Sequence, residues 1–254
     1  MIMIIPKFWS IILLLVIMLG LMLSIVFYQP RWLFKMILQV APGVHYFADT
    51  DDPVITITID DGPDSITTPK ILETLENHNV NVTFFLIGER IKDNELIVQE
   101  IIKNGHEIGN HMVKDEKSIF LPLEDFEQEF VEADKTLHQF LSNSSSKVQW
   151  FRPGGGWYNS QMLDIVKKYN YQTVLGSIFP YDTHIPCSNF ASYQILTNLR
   201  SGGIIVLHDS AKDGQSGEWG ERTNKTLKKI LPEIKKRGYR IVTLSEMFFT
   251  HEYE

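Results

Sequence analysis

The chain has 254 residues, 44% of them hydrophobic and 22% charged, which is enough for one full core and one membrane segment. A formal net charge of -7 with no Lys/Arg-rich stripe argues against a phosphate-backbone partner, so no nucleic acid is expected. Cys187 is the only cysteine, which rules out an intrachain disulfide and leaves the compartment open.

After a short tail (1–7), no charge interrupts the run from Phe8 to Tyr28, and a helix of about 20 apolar residues crosses ~30 Å of hydrocarbon. Trp9, Phe27, Tyr28 and Trp32 sit near its ends like an interfacial belt, and no small-x-small cleavage site stands out. An uncleaved signal anchor over 8–29 is expected, the alternative being a removed signal sequence. Lys7 on one flank faces Arg31 and Lys35 on the other, so charge specifies orientation weakly. Residues 30–50, marked by Pro30, Pro42 and Gly43, read as a connector.

From 51 to 250 short β-branched runs alternate with amphipathic stretches, as in βα units around a parallel sheet. The first strand is Val54–Ile59; Ser65 or Thr67 caps a helix that has Pro69 in its first turn and ends near His78. A strand at Val82–Leu86, a helix at Glu95–Lys103, a short strand at Glu107–Gly109 and a long helix at Glu124–Leu141 follow. After a polar loop at Asn143–Ser146 come strand Gln149–Phe151, helix Ser160–Tyr169, strand Gln172–Leu175 and helix Ser188–Arg200. Strand Ile204–Leu207, helix Arg222–Arg237 and strand Tyr239–Val242 complete the series. Seven strands interleaved with helices predict an α/β fold, a distorted (β/α) barrel of about seven strands; a doubly wound open sheet is the alternative.

Four clusters carry chemistry. Thr58-Ile59-Asp60-Asp61-Gly62-Pro63 stands at the C-terminal end of the first strand, where barrel active sites are built; neighbouring side chains diverge, so the two carboxylates need different roles. Taken alone, Asp-Asp-Gly-Pro is equally a turn with carboxylates capping amides. In Gly105-His106-Glu107-Ile108-Gly109-Asn110-His111, one helical turn from His111 reaches Asp115, a spacing suited to a shared cation or to a plain surface pair. Phe151-Arg152-Pro153-Gly154-Gly155-Gly156 follows another strand, and its free amides can approach an oxyanion where no Cβ obstructs them, unless it is simply a flexible loop. Ile204–Leu207 ends in His208-Asp209, where a lone histidine is as readily structural as catalytic.

In this order the clusters resemble the NodB-homology polysaccharide deacetylases, carbohydrate esterase family 4, over roughly residues 51 to 250. The resemblance implies a hydrolase of non-peptide carbon–nitrogen bonds that removes acetyl groups from N-acetylated glycans. It also implies a divalent metal held by Asp61, His111 and Asp115, usually Zn2+ with Co2+, Ni2+ or Mn2+ as alternatives. Asp60 would be the base, Arg152 its partner, His208 the acid and Asp182 the group that orients it; Gly155 would face the oxyanion, with Tyr181 and Val206 walling the acetyl pocket. A carbohydrate substrate places the domain on the extracytoplasmic or lumenal side of a membrane crossed once.

The chain departs from the family pattern at Met112, where Ser or Thr is usual, at Asp115, where a second His is usual, and at Thr183, where the Asp-x-x-Asp-Trp motif loses its Trp. These departures leave two alternatives: an inactive glycan-binding or scaffold protein, or an O-acetyl esterase or other amidase on the same fold. His106 reads as structural, His45, His78, His138, His184 and His251 carry no role, and Glu89 and Arg90 match no motif.

Overall fold

The computed structural model describes residues 7–141, 148–210 and 218–249; the expected polar loop at 143–146, most of the short tail, residue 250 and His251 lie outside them. The apolar run winds into α1 (Lys7–Tyr28), almost wholly exposed from Trp9 on and long and apolar enough to cross a membrane. Gln29, at φ 41°, ends it, and Pro30 leads into α2 (Arg31–Val40), followed by β1 (Val44–His45). The stretch expected as a bare connector therefore holds a helix and an edge strand. The Pro/Gly punctuation hid α2, whose buried Phe34 joins Val44, Tyr46, Phe47 and Leu175 in a small core of its own.

β2 (Val54–Gly62) is buried from end to end, as a central strand covered on both faces must be. It leads to α3 (Thr67–Asn77), which neither expected residue caps: Oδ1 of Asp64 accepts from the amides of Ile66 (2.8 Å) and Thr67 (2.9 Å) instead. Next come β3 (Thr83–Leu86), the single turn α4 (Gly88–Ile91), α5 (Glu95–Lys103), β4 (Glu107–Asn110) and α6 (Leu123–His138). The chain continues through β5 (Trp150–Phe151), α7 (Ser160–Lys168), β6 (Gln172–Val174), α8 (Ser188–Asn198) and β7 (Gly203–His208). It ends with α9 (Glu218–Lys236), β8 (Arg240–Ile241) and α10 (Leu244–Phe249), the last not foreseen from the sequence.

All pairings within the eight-stranded sheet are parallel, in the order β1-β6-β5-β4-β3-β2-β7, with β8 added beside β2. Isolated bridges from Phe47 to Gly203 and from Ile178 to Ile205 curl the two edges toward each other, giving the distorted barrel rather than the doubly wound open sheet. Strand alternation sorts two cores. Ile55, Ile57 and Ile59 of β2, with Ile205 and Leu207 of β7, pack outward under the helices. Phe85, Trp150, Val174 and Ile204 fill the interior, plugged from below by Leu244 and Met247 of α10. Truncating Trp150, fully buried there, removes about 3–5 kcal/mol of packing.

Candidate active site

Above that interior plug the inward-facing residues turn polar. Thr58 and Asp60 continue the inner face of β2, and Asp60 is the register partner of His208 on β7. Arg152, just past β5, reaches across: Nη1 donates to Oδ1 of Asp60 (2.5 Å) and to Oγ1 of Thr58 (2.7 Å), while Nε donates to the carbonyl of Val174 (3.2 Å). The guanidinium lies 4.3 Å from the centroid of the Phe85 ring, and that ring fits because residue 109 is glycine, where a Cβ would meet it at 2.6 Å. Burial lowers the pKa of Arg152, and the Asp60 charge opposes the shift.

Asp61 follows at φ 65°, where the β2–β3 register shifts, and its carboxylate turns to His111: Oδ1 lies 3.2 Å from Nε2. The other ring nitrogen of His111 lies 2.7 Å from the carbonyl of Arg152, an acceptor, so Nδ1 carries a proton there, and in the neutral ring the lone pair of Nε2 faces the carboxylate. Burial pushes the pKa of Asp61 up, but His111 and the nearby positive groups outweigh it and hold the carboxyl below its ordinary value. Burial likewise lowers that of His111, and Asp61 and Asp60 turn the net shift upward.

Asp115 does not join them directly. Its Oδ2 accepts from Nη2 of Arg90 (2.8 Å), while Nη1 of Arg90 donates to the backbone carbonyl of Asp61. Among the described residues no group of three Asp, Glu, His or Cys side chains is gathered closely enough to share one ion.

On β7, Nδ1 of His208 lies 3.1 Å from both carboxylate oxygens of Asp182, and Oδ2 also accepts from the His208 amide (2.9 Å). Burial depresses the imidazole, but Asp182, then Asp61 and Asp60, overcome it and push its pKa up to about 10. Trp219 stands edge-on to the ring at 6.1 Å between centroids. Val206 lies one step below His208 on the same face of the strand, against Gly176, where a Cβ would come within 2.5 Å of its methyl. Gly155, at φ 72°, is exposed on the turn after Arg152. Tyr181 sends its hydroxyl away from this cluster, donating to the carbonyl of Val26 in α1 (3.0 Å).

The structure thus brings Asp60 to Arg152, Asp61 to His111 and Asp182 to His208. His106, with Nδ1 accepting from the amide of Val82 (3.2 Å), helps join β3 to β4, and burial lowers its pKa to about 4. Phe85 and Trp219 escaped sequence reasoning, which places Arg90 near the site without a motif. Only Arg90 gave a signal, as a cation just beyond a strand end.

A model of the polysaccharide deacetylase family matches residues 47–174, half of the chain, and takes in the carboxylate, imidazole and arginine clusters. The chain belongs to the polysaccharide deacetylase family. It is 36% identical over 199 residues to a peptidoglycan-N-acetylglucosamine deacetylase of Bacillus cereus, covering 78% of this chain and 89% of that one. It is 31% identical over 195 residues to a chitooligosaccharide deacetylase of Azorhizobium caulinodans, covering 75% and 92%. The crystal structure of a peptidoglycan N-acetylglucosamine deacetylase bound to 4-naphthalen-1-yl-N-oxidanyl-benzamide superposes with a TM-score of 0.75 at 27% identity, covering 84% of this chain and 95% of that one. As a polysaccharide deacetylase this protein is a hydrolase of amide carbon–nitrogen bonds.

Polysaccharide deacetylases generally depend on a divalent metal, and the Asp61–His111 pair fits one. Two acceptors facing each other at 3.2 Å repel unless a cation or a proton lies between them. The Nδ1–carbonyl bond is the outer contact that fixes the tautomer of metal-binding histidines.

Proposed function

We propose that this chain removes acetyl groups from N-acetylglucosamine units of a glycan, with a divalent cation that Asp61 and His111 would hold and that Asp115 would join as third ligand by turning its carboxylate from Arg90. The facing Asp61–His111 pair carries the reading, because it lies beside both an oriented carboxylate and an oriented imidazole. The donor set, one nitrogen and two carboxylates, suits Zn2+ and also Mn2+ or Co2+. When bound, the cation supplies Lewis acidity to the acetyl carbonyl.

The chain's own groups move the protons. Arg152 and Thr58 fix the Asp60 carboxylate, which takes a proton from the attacking water as the new C–O bond forms. His208, held as imidazolium by Asp182, gives its proton to the amine nitrogen as the C–N bond breaks, so acetate and a free amine leave. The amide of Gly155 faces the oxyanion and Val206 borders the acetyl methyl, whereas Tyr181, turned to α1, does not wall that pocket. α1 anchors the domain, 51–250 with α2 and β1 added from 30–50, on the extracytoplasmic side of a membrane.

The test is acetate release from N-acetyl chitooligosaccharides and peptidoglycan fragments by the full chain, with and without chelator. Chelator-sensitive release that returns with added Zn2+ is expected. No release from the metal-loaded protein across that panel would refute the reading. The Asp115–Arg90 pair also favours a second one, a glycan-binding protein without turnover; sugar binding with neither bound metal nor acetate release would establish it.

A further inference from the structure

We infer that one face of α2, carrying Trp32, Met36 and Val40, lies in the headgroup region of a lipid bilayer and seats the catalytic domain against the membrane that α1 crosses. The inference rests on the anchor reading above.

α2 is apolar on two sides, and the domain uses only one. Phe34, Ile37 and Leu38 pack into the cluster of Val44, Tyr46, Phe47 and Leu175. Trp32, Met36 and Val40 recur every fourth residue, so they form a second stripe, and the three residues are 55%, 56% and 87% exposed. Lys35 and Gln39 flank that stripe with polar ends. A helix docked on a protein needs one apolar face. A helix lying in an interface shows the other to lipid, with its apolar side sunk about 5–10 Å into the headgroup boundary.

The chain path puts that stripe where such a boundary begins. The 20 residues Trp9–Tyr28 match the thickness of a hydrocarbon core, about 30 Å at 1.5 Å per residue. Only Gln29 and Pro30 separate α1 from α2, and two extended residues span at most about 7 Å. The left-handed Gln29 and extended Pro30 redirect the chain, so α2 starts beside the end of α1 on a new course. Tyr28 and Trp32 then stand at the level where amphipathic rings collect in membrane proteins.

The junction does not behave as a loose tether. The Gln29 amide closes both bonds with the Phe179 backbone, donating to its carbonyl (2.7 Å) and accepting from its N–H (2.8 Å). Asn198 donates to the carbonyl of Phe27 (2.8 Å), Tyr181 to that of Val26 (3.0 Å) and Arg200 to that of Gln29. These bonds take up carbonyls at the end of α1 that would otherwise need water. Arg31 stacks over Phe47 at 4.5 Å and reaches the carbonyl of Ser201, so α2 is fixed to the same body. Wherever α1 places its end, the stripe follows.

The experiment uses the full chain in phosphatidylethanolamine/phosphatidylglycerol vesicles. On a Cys187→Ser background, Leu19→Cys, Met36→Cys, Val40→Cys and Leu96→Cys each carry an environment-sensitive fluorophore, quenched by lipids with nitroxides at shallow or deep positions. Positions 36 and 40 are expected to be quenched by shallow labels, at least about threefold more than by deep ones given a depth of roughly 5–10 Å. Position 19 should respond to deep labels and position 96 to neither. Water-like emission at 36 and 40 with position 19 deep in lipid overturns this inference alone. Water-like emission at position 19 overturns the anchor reading and the inference with it.

Discussion

Replacing Asp182 by Asn keeps the shape of the side chain and removes the charge that His208 depends on. Both oxygens of Asp182 lie 3.1 Å from Nδ1, and Asp182 is the largest influence raising the imidazole pKa to about 10 against the pull of burial. From an ordinary 6.5 to about 10 is roughly 5 kcal/mol in favour of imidazolium, at about 1.4 kcal/mol per tenfold. Most of that is lost in the variant, because Asp60 and Asp61 are lesser influences. The sign follows directly. The acid is active when protonated, so the alkaline limb of kcat should fall to a pH at least about 2 lower in Asp182→Asn. At neutral pH kcat should drop about 10²–10⁴-fold, the range for losing an oriented general acid. A bound cation lowers the imidazole pKa in both proteins, so the difference between them survives. Free-amine release from a chitooligosaccharide between pH 5 and pH 10 measures both effects. An unmoved alkaline limb with kcat within about threefold of wild type would refute the role given to His208 and its partner.

Arg152→Ala leaves Asp60 buried without its counter-charge and should cost about 3–5 kcal/mol in chemical denaturation, whereas a surface pair such as Lys35–Asp49 should cost under about 1 kcal/mol. Arg90→Ala removes the guanidinium that orients Asp115 and holds the Asp61 carbonyl, and should weaken metal binding about 10–100-fold by competition with a chromogenic chelator; unchanged affinity would remove Arg90 from the site. Burial raises the pKa of Asp209 to about 7, so the folded state keeps a proton that the unfolded chain, near 3.8, gives up. Its contribution to stability therefore falls as pH rises from about 4 to about 7, by at most about 4 kcal/mol, and is flat above. Asp209→Asn should flatten that part of the wild-type denaturation profile.

The elements that the sequence made legible are those whose pattern is set by burial alone. β2, β3 and β7 are β-branched or aromatic runs bounded by turn residues, and the amphipathic period of α5, α6 and α9 survives at their buried faces. What stayed hidden depends on tertiary partners. β1 has two residues and exists because β6 offers it an edge, with Val44 beside Thr173. α10 reads as a tail until Leu244 and Met247 are seen to close the barrel floor. At the site, the motifs named side chains that the fold brings together in three pairs. They could not show that Arg90 stands between Asp61 and Asp115, because an arginine 29 residues after the one and 25 before the other carries no periodic signature.

How two adjacent aspartates come to serve different partners follows from one local break. On a regular strand Asp60 and Asp61 point to opposite faces, so Asp61 would enter the outer layer where Ile57 and Ile59 meet the helices. An unpaired carboxylate there costs several kcal/mol. The chain avoids this by abandoning strand geometry at Asp61: φ turns positive, the pairing with β3 shifts between Ile59 and Gly62, and the carboxylate comes round to His111. A non-glycine residue in that region carries a strain of about 1–3 kcal/mol, which persists only where surrounding contacts over-determine it. Those contacts are present: Arg90 holds the Asp61 carbonyl, the Ile87 amide donates to the Gly62 carbonyl (2.9 Å), and the Asp209 amide donates to the Asp60 carbonyl (2.9 Å). The strained turn is thus pinned from α4 and from the residues just past β3 and β7, and those neighbours let one residue of the strand end present a carboxylate to an arginine and the next to an imidazole.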